Sequence, residues 1–220
     1  MNEPRHALRR TLCFVGFLYL AWIGAWLLER TLEPTVALLA TSGGRFTYWT
    51  IMKLLLWILP AAVLLRTSGR PLRDTLGLGR VRAVLVWGGG IGLLFTACGL
   101  ITRAVAHQPL FALQLGWPFL GGVIVAPVVE EFTFRGAVLQ TSLARYRFIV
   151  ANTLTALFFL GIHVPGWYFQ GRLSDMLVQP IGGAMSILFI GWVLGLIAHK
   201  SKSVAASTLT HILNNLFSGV

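Results

Sequence analysis

Glu130 and Glu131 stand side by side in the run PVVEEFTFRG, and Arg135 follows one helical turn later. The chain has only 7 acidic residues, so two together inside an apolar stretch call for a reason. An ionisable side chain at the centre of a bilayer costs about 2.5–3.5 kcal/mol on insertion scales, which makes such groups functional candidates. On a helix, Glu131 and Arg135 are i and i+4; they share a face and can pair. Glu130 is turned about 100° away from Glu131. One carboxylate can therefore be held by the arginine while the other points elsewhere. The same spacing recurs twice: Phe159 and His163 in FFLGIHVPGW, and His211 and Asn215 in THILNNL.

Together these groups can activate water. A carboxylate in a partly dry site serves as general base and then as general acid. One histidine can hold the water, and the second, with an amide, can donate hydrogen bonds to a developing oxyanion. That is the outline of a hydrolase acting on an acyl bond, with a peptide as the fitting substrate. Each cluster also has a plainer reading. Glu131–Arg135 can be a clamp between helices, His163 a helix-end residue, and His211 with Asn215 an interhelical hydrogen-bonding pair. Two histidines and a glutamate can bind zinc, although no HExxH is present and each ligand would come from a different helix. No GxSxG elbow marks a serine nucleophile, and WGGGIG lacks the strand and lysine of a phosphate loop.

The elements that must position these groups follow from composition. Of 220 residues, 56% are hydrophobic and 11% charged, and mean hydropathy is +0.75. A soluble domain would carry roughly 25% charged residues. An all-α polytopic transmembrane bundle is expected, forming a single integral membrane domain over 1–220. Seven spans are expected, at roughly 11–29, 46–65, 82–102, 116–142, 147–164, 179–199 and 204–219. Pro165 and Gly166 predict that the fifth helix stops just after His163. The last span carries Ser207, Thr208, Thr210, His211, Asn214 and Asn215, so it is expected inside the bundle. Cys13 and Cys98 are expected as packing residues, and Trp49, Trp117, Trp167 and Tyr168 as anchors at the membrane interface.

The net charge of +11 points to topology rather than to nucleic acid. Arg5, Arg9, Arg10, Arg66, Arg70, Arg73, Arg80, Arg82, Arg145, Arg147, Lys200 and Lys202 fall in alternate loops, and only Arg30, Arg45, Arg103 and Arg172 fall in the others. The bias places the N-terminus in the cytoplasm. Arginines before the first apolar run resemble a signal peptide, but the run is long enough to span and shows no small-residue cleavage site.

The ordered set EEFTFR, FLGIH and HILNN has the forms EExxxR, FxxxH and HxxxN. In this order it resembles the CAAX protease and bacteriocin-processing family, also called the abortive-infection family, whose best-known members are type II CAAX prenyl endopeptidases. The resemblance covers roughly 116–216, the expected catalytic core. It implies an intramembrane glutamate protease of a bacterial or archaeal plasma membrane that needs no metal or other cofactor. It further implies that Glu130 and His163 activate water, that Glu131 and Arg135 support them, that His211 and Asn215 stabilise the oxyanion, and that Phe159 shapes the site. The implied partners are the lipid bilayer and a membrane-anchored or C-terminally tagged substrate. Prenyl endopeptidases of the family typically carry an eighth helix after the last motif, whereas this sequence ends at Val220, so a more open cavity is expected. Two other classes remain: a non-catalytic peptide-binding or bacteriocin-immunity protein, and a proton-coupled transporter, which also uses intramembrane Glu and His.

Overall fold

The computed structural model describes residues 3–110 and 115–218. Arg5 lies outside the residues whose side chains are described, and residue 219, the end of the last expected span, lies outside the described chain. Among the described residues the protein is a helical bundle without strands. Its helices are α1 Glu3–Leu32, α2 Ser42–Thr67, the short α3 Leu72–Leu76, α4 81–105, α5 117–142, α6 Phe148–Phe169, the short α7 Leu173–Val178, α8 Ala184–Ser201 and α9 Val204–Ser218. Each of the seven expected spans coincides with one of the longer helices. Five stretches are long and apolar enough to cross a membrane: Leu8–Leu32, Ser42–Thr67, Leu72–Val105, Phe148–Phe169 and Ala184–Ser201. The other two helices, α5 and α9, bear the acidic and His/Asn motifs.

α5 is the central helix, and every residue from 129 to 139 is buried. Around it α1, α2 and α6 form one apolar core through Leu18, Trp57, Leu65, Phe134, Val138 and Phe159. On the other side, α8 and α9 pack with α4 through Leu194, Ile197 and Ala206. The outward faces of α1, α2 and α4 are rich in exposed leucine, isoleucine and valine, as lipid-facing surfaces must be, since hydrocarbon has no affinity for polar side chains.

Two prolines shape the helices that carry the site. Pro60 in α2 and Pro127 in α5 each lack a backbone N–H, and each ring would clash with the carbonyl four residues back. Both are preceded by a π-helical stretch, Leu54–Ile58 and Leu120–Val125, that contains that carbonyl. The wider turn accommodates the ring without ending the helix.

The two ends of the bundle are tied differently. At one end Arg10 donates to the Thr67 carbonyl at 2.7 Å, Thr11 donates to Thr141 at 2.8 Å, and Ser203 Oγ lies 3.1 Å from the Leu76 carbonyl. At the other, Tyr48 donates to Ala25 at 2.5 Å, Trp49 donates to Glu29 at 3.0 Å, and Arg30 bonds the Phe169 carbonyl. The arginine-rich loops fall at the first end, in keeping with the alternation expected from the sequence.

Three expectations are corrected. α6 does not stop after His163: it breaks only at Ile162 and runs on to Phe169. Pro165 sits in the first turn of the resumed helix, where its missing N–H has no intrahelical partner to lose. Cys13 and Cys98 are exposed on outer helix faces rather than packed inside. Of the four aromatic anchors, Trp117 and Tyr168 are exposed, but Trp167 is buried and Trp49 stacks inside a cluster with Trp22 and Trp26.

The α4–α9 contact depends on glycine. A Cβ at Gly88 would stand 2.5 Å from the Ala206 carbonyl oxygen, whereas one at Gly89 would meet nothing within 4 Å. Thr210 Oγ1 donates to the Gly88 carbonyl at 3.0 Å across the same contact. Gly88→Val is therefore expected to destabilise the protein by about 1–3 kcal/mol, the usual cost of overpacking. Gly89→Ala should leave the detergent unfolding temperature near wild type. Equal unfolding temperatures for the two variants would show that α9 does not depend on this approach.

Candidate active site

The three motifs converge around Phe159. Arg135 and Glu131 have no exposed surface, and Glu130 is 9% exposed. Arg135 Nη1 donates to Glu131 Oε1 at 2.9 Å, and Nη2 donates to the Gly191 carbonyl at 2.7 Å. The guanidinium also lies over the Phe159 ring, 4.3 Å from its centroid. This close approach requires glycine on α8: a Cβ at position 191 would lie 3.0 Å from Phe159 Cδ1 and 3.5 Å from Arg135 Nη2. The i, i+4 pairing expected for Glu131 and Arg135 is thus present, and Glu130 is turned off that pair.

α9 brings His211 between the two carboxylates. Its Nδ1 lies 3.0 Å from Glu131 Oε1, and its Nε2 faces Glu130 Oε2 at 3.9 Å. Glu131 therefore accepts from an arginine and a histidine on the same oxygen and fixes the orientation of both. Asn215, one turn further along α9, donates from Nδ2 to the Gly122 carbonyl of α5 at 3.0 Å and accepts from Asn214 at 3.1 Å. One N–H of its amide remains uncommitted by these bonds.

His163 stands at the α6 break. Its Nδ1 lies 2.7 Å from the Phe159 carbonyl. A carbonyl can only accept, so Nδ1 carries the hydrogen, and in the neutral ring the lone pair is left on Nε2. The imidazole packs edge-on to Phe159, with ring centroids 4.9 Å apart. Phe159 also meets the His211 ring at 6.0 Å. Glu130 is close enough for its charge to act on His163. Phe159 is thus the common wall of Arg135, His163 and His211.

All seven sequence candidates are brought into this one region. Two polar groups that motif reading missed join them. Gly122 anchors Asn215 through its carbonyl. Lys53, half-buried on α2, is in electrostatic range of Glu130 and of His163. A signal for Lys53 was present in the sequence: of 18 basic residues, only Lys53 and Arg135 fall in the interior of an expected span. Among the described residues, no three His, Cys, Asp or Glu side chains are grouped to hold a metal ion.

Residues 112–217, which contain all three motifs, match the family model described as type II CAAX prenyl endopeptidase Rce1-like. Over this stretch, just under half of the chain, the protein is similar to that family. No curated protein and no solved structure matches it. The Rce1-like family is one of proteases, and together with the apolar helices it makes this an integral membrane protein of peptide-hydrolase kinship.

Removal of Arg135 would leave Glu131 as a buried charge without its partner. Arg135→Met is expected to destabilise the Rce1-like fold by about 3–5 kcal/mol, the range for breaking a buried pair. The double variant Glu131→Leu/Arg135→Met should recover part of that loss. Unfolding in mixed detergent checks both, and a double variant no more stable than the single one would contradict the charge-pair account.

Proposed function

We propose that this protein is an intramembrane endopeptidase in which Glu130 activates water to cleave a membrane-anchored or C-terminally tagged peptide. The observation that carries the reading is Glu130 facing His211 Nε2 at 3.9 Å within electrostatic range of His163, with Glu131 already committed to Arg135 and His211. Of the two adjacent carboxylates, Glu130 is the one not held by Arg135.

In this reading, water sits between Glu130 and His163 Nε2. Glu130 accepts a proton as the water oxygen attacks the scissile carbonyl carbon. The tetrahedral oxyanion receives hydrogen bonds from Nε2–H of a doubly protonated His211, whose Nδ1–H stays on Glu131, and from the remaining N–H of Asn215. Collapse breaks the C–N bond while Glu130 returns its proton to the leaving nitrogen. The products are a new carboxylate terminus and a free amine, and no redox partner is required. Glu131 and Arg135 act by holding His211, and Phe159 by directing His163. The proposed catalytic core is 116–216 within a single membrane domain.

We place the N-terminus in the cytoplasm, because the arginine-rich loops share its end of the bundle. Residues 33–45 then face the other side. Ser42→Cys, in a Cys13→Ser/Cys98→Ser background, should react with an impermeant maleimide added outside intact cells. Labelling only after lysis would reverse the orientation.

Glu130→Gln keeps the shape and removes the base. Loss of a general base lowers turnover by about 10²–10⁴-fold, so C-terminal peptidomics of membranes should reveal uncut tails in the variant that are absent with wild type at equal expression. Identical peptide profiles would exclude proteolysis as the function of this site and favour peptide sequestration.

A further inference from the structure

The site adjoins an open cleft of about 590 Å³ lined mainly by α1, α2 and α5. Its walls are aromatic, formed in the main by Trp22, Trp26, Phe46, Trp49 and Trp117. Gly121, Gly122, Val125 and Ala126 supply the α5 side, and Ala126 lies one helical turn before Glu130. Two cations line the space, Arg45 and Lys53. They are eight positions apart on α2, or about 12 Å along the helix axis, which puts Arg45 near the rim and Lys53 deep.

The two cations differ in what answers their charge. Arg45 is committed: it pairs with Glu33, lies 3.8 Å from Glu29 and donates to the Leu39 carbonyl at 3.3 Å. Lys53 makes no side-chain hydrogen bond and no ion pair within 4 Å among the described residues. Its electrostatic neighbours are Glu130 and His163. An ammonium inside a membrane helix without a contact partner is costly, and its cost is offset when an anion enters the space it faces.

We propose that this cavity seats the free C-terminal carboxylate of an apolar peptide tail, with Lys53 as the group that receives it. The inference rests on the protease reading of the adjoining site and gives that site its register. Aromatic walls suit apolar side chains, and the ammonium suits one terminal anion. Lysine has three donors, and Glu130 is not within 4 Å of it, so a carboxylate docks without displacing an existing ion pair. With the tail's end on Lys53 and Glu130 within electrostatic reach, peptide bonds near the C-terminus are those presented for cleavage. The released piece is short, and internal segments of membrane proteins are excluded because they offer no terminal anion.

Binding can be measured apart from cleavage. His163→Ala protein, which retains Glu130, is titrated in detergent with a peptide ending in a prenylated cysteine and three apolar residues. The free acid and the C-terminal amide are compared by quenching of the cavity tryptophans. The acid is expected to bind at least tenfold more tightly. Adding Lys53→Met should reduce that preference to below twofold with amide binding unchanged, which also shows the cavity to be intact, and Lys53→Arg should keep it. Equal binding of acid and amide, a preference that survives Lys53→Met, or no binding of either peptide overturns the proposal. Displacement of the acid by equimolar phosphatidylglycerol would make this an anionic-lipid site and also overturn it. Acid preference without cleavage by wild type would sink the protease reading and leave the subsite; cleavage that ignores the terminal carboxylate would do the reverse.

Discussion

The fully buried Glu131–Arg135 pair is the constraint from which the rest of the site follows. Removing two charges from water costs several kcal/mol per ion, and their attraction repays this only when the remaining donors and acceptors are also engaged. Arg135 meets most of that demand by bonding Glu131 on its own helix and the Gly191 carbonyl on α8, with its flat face on Phe159 of α6; only its Nε is left without a partner among the described residues. Glu131 Oε1 also accepts from His211 on α9, while its buried Oε2 has no hydrogen-bond partner among the described residues. One charge pair thus ties four helices together, and each tie also sets the orientation of a neighbouring group.

The division of labour between adjacent glutamates is a consequence of helix geometry. A rotation of about 100° per residue separates their side chains. Glu131 points into the protein, where arginine and histidine both bond its Oε1. Glu130 faces His211 at 3.9 Å and makes no closer polar contact among the described residues. A carboxylate kept out of the structural network is the one available for proton transfer. His163 shows the same economy: the Phe159 carbonyl occupies one ring nitrogen and leaves the other for chemistry.

Helix irregularities support this arrangement. The α6 break at Ile162 precedes His163, and a π-helical stretch, Phe132–Leu139, contains Arg135. The π stretch before Pro127 includes Gly122, whose carbonyl is bonded within the chain's own site by Asn215. Departures from regular helix at membrane depth are tolerated only where protein or a water-filled cavity surrounds them. Here they lie around the candidate site.

Much was legible in the residues themselves. Long apolar runs determine spanning helices because a bilayer requires backbone groups to bond internally, and i, i+4 spacing determines which motif residues share a face. The ordered motifs pointed to the family whose model residues 112–217 match and nominated the candidate residues before any geometry was known. Periodicity could not reveal that Pro165 lets α6 continue, because whether a proline ends or merely breaks a helix depends on the carbonyls around it. Nor could it place Trp49 and Trp167 inside, since an aromatic near a span end suits a membrane interface and a packed core equally well. The approach of Lys53 to electrostatic range of Glu130, the anchoring of Asn215 on Gly122 and the aromatic lining of the cleft join residues far apart in the chain. Those relations are decided by how the helices rotate and approach one another. Local sequence sets each helix and its faces, but only tertiary packing chooses which faces meet.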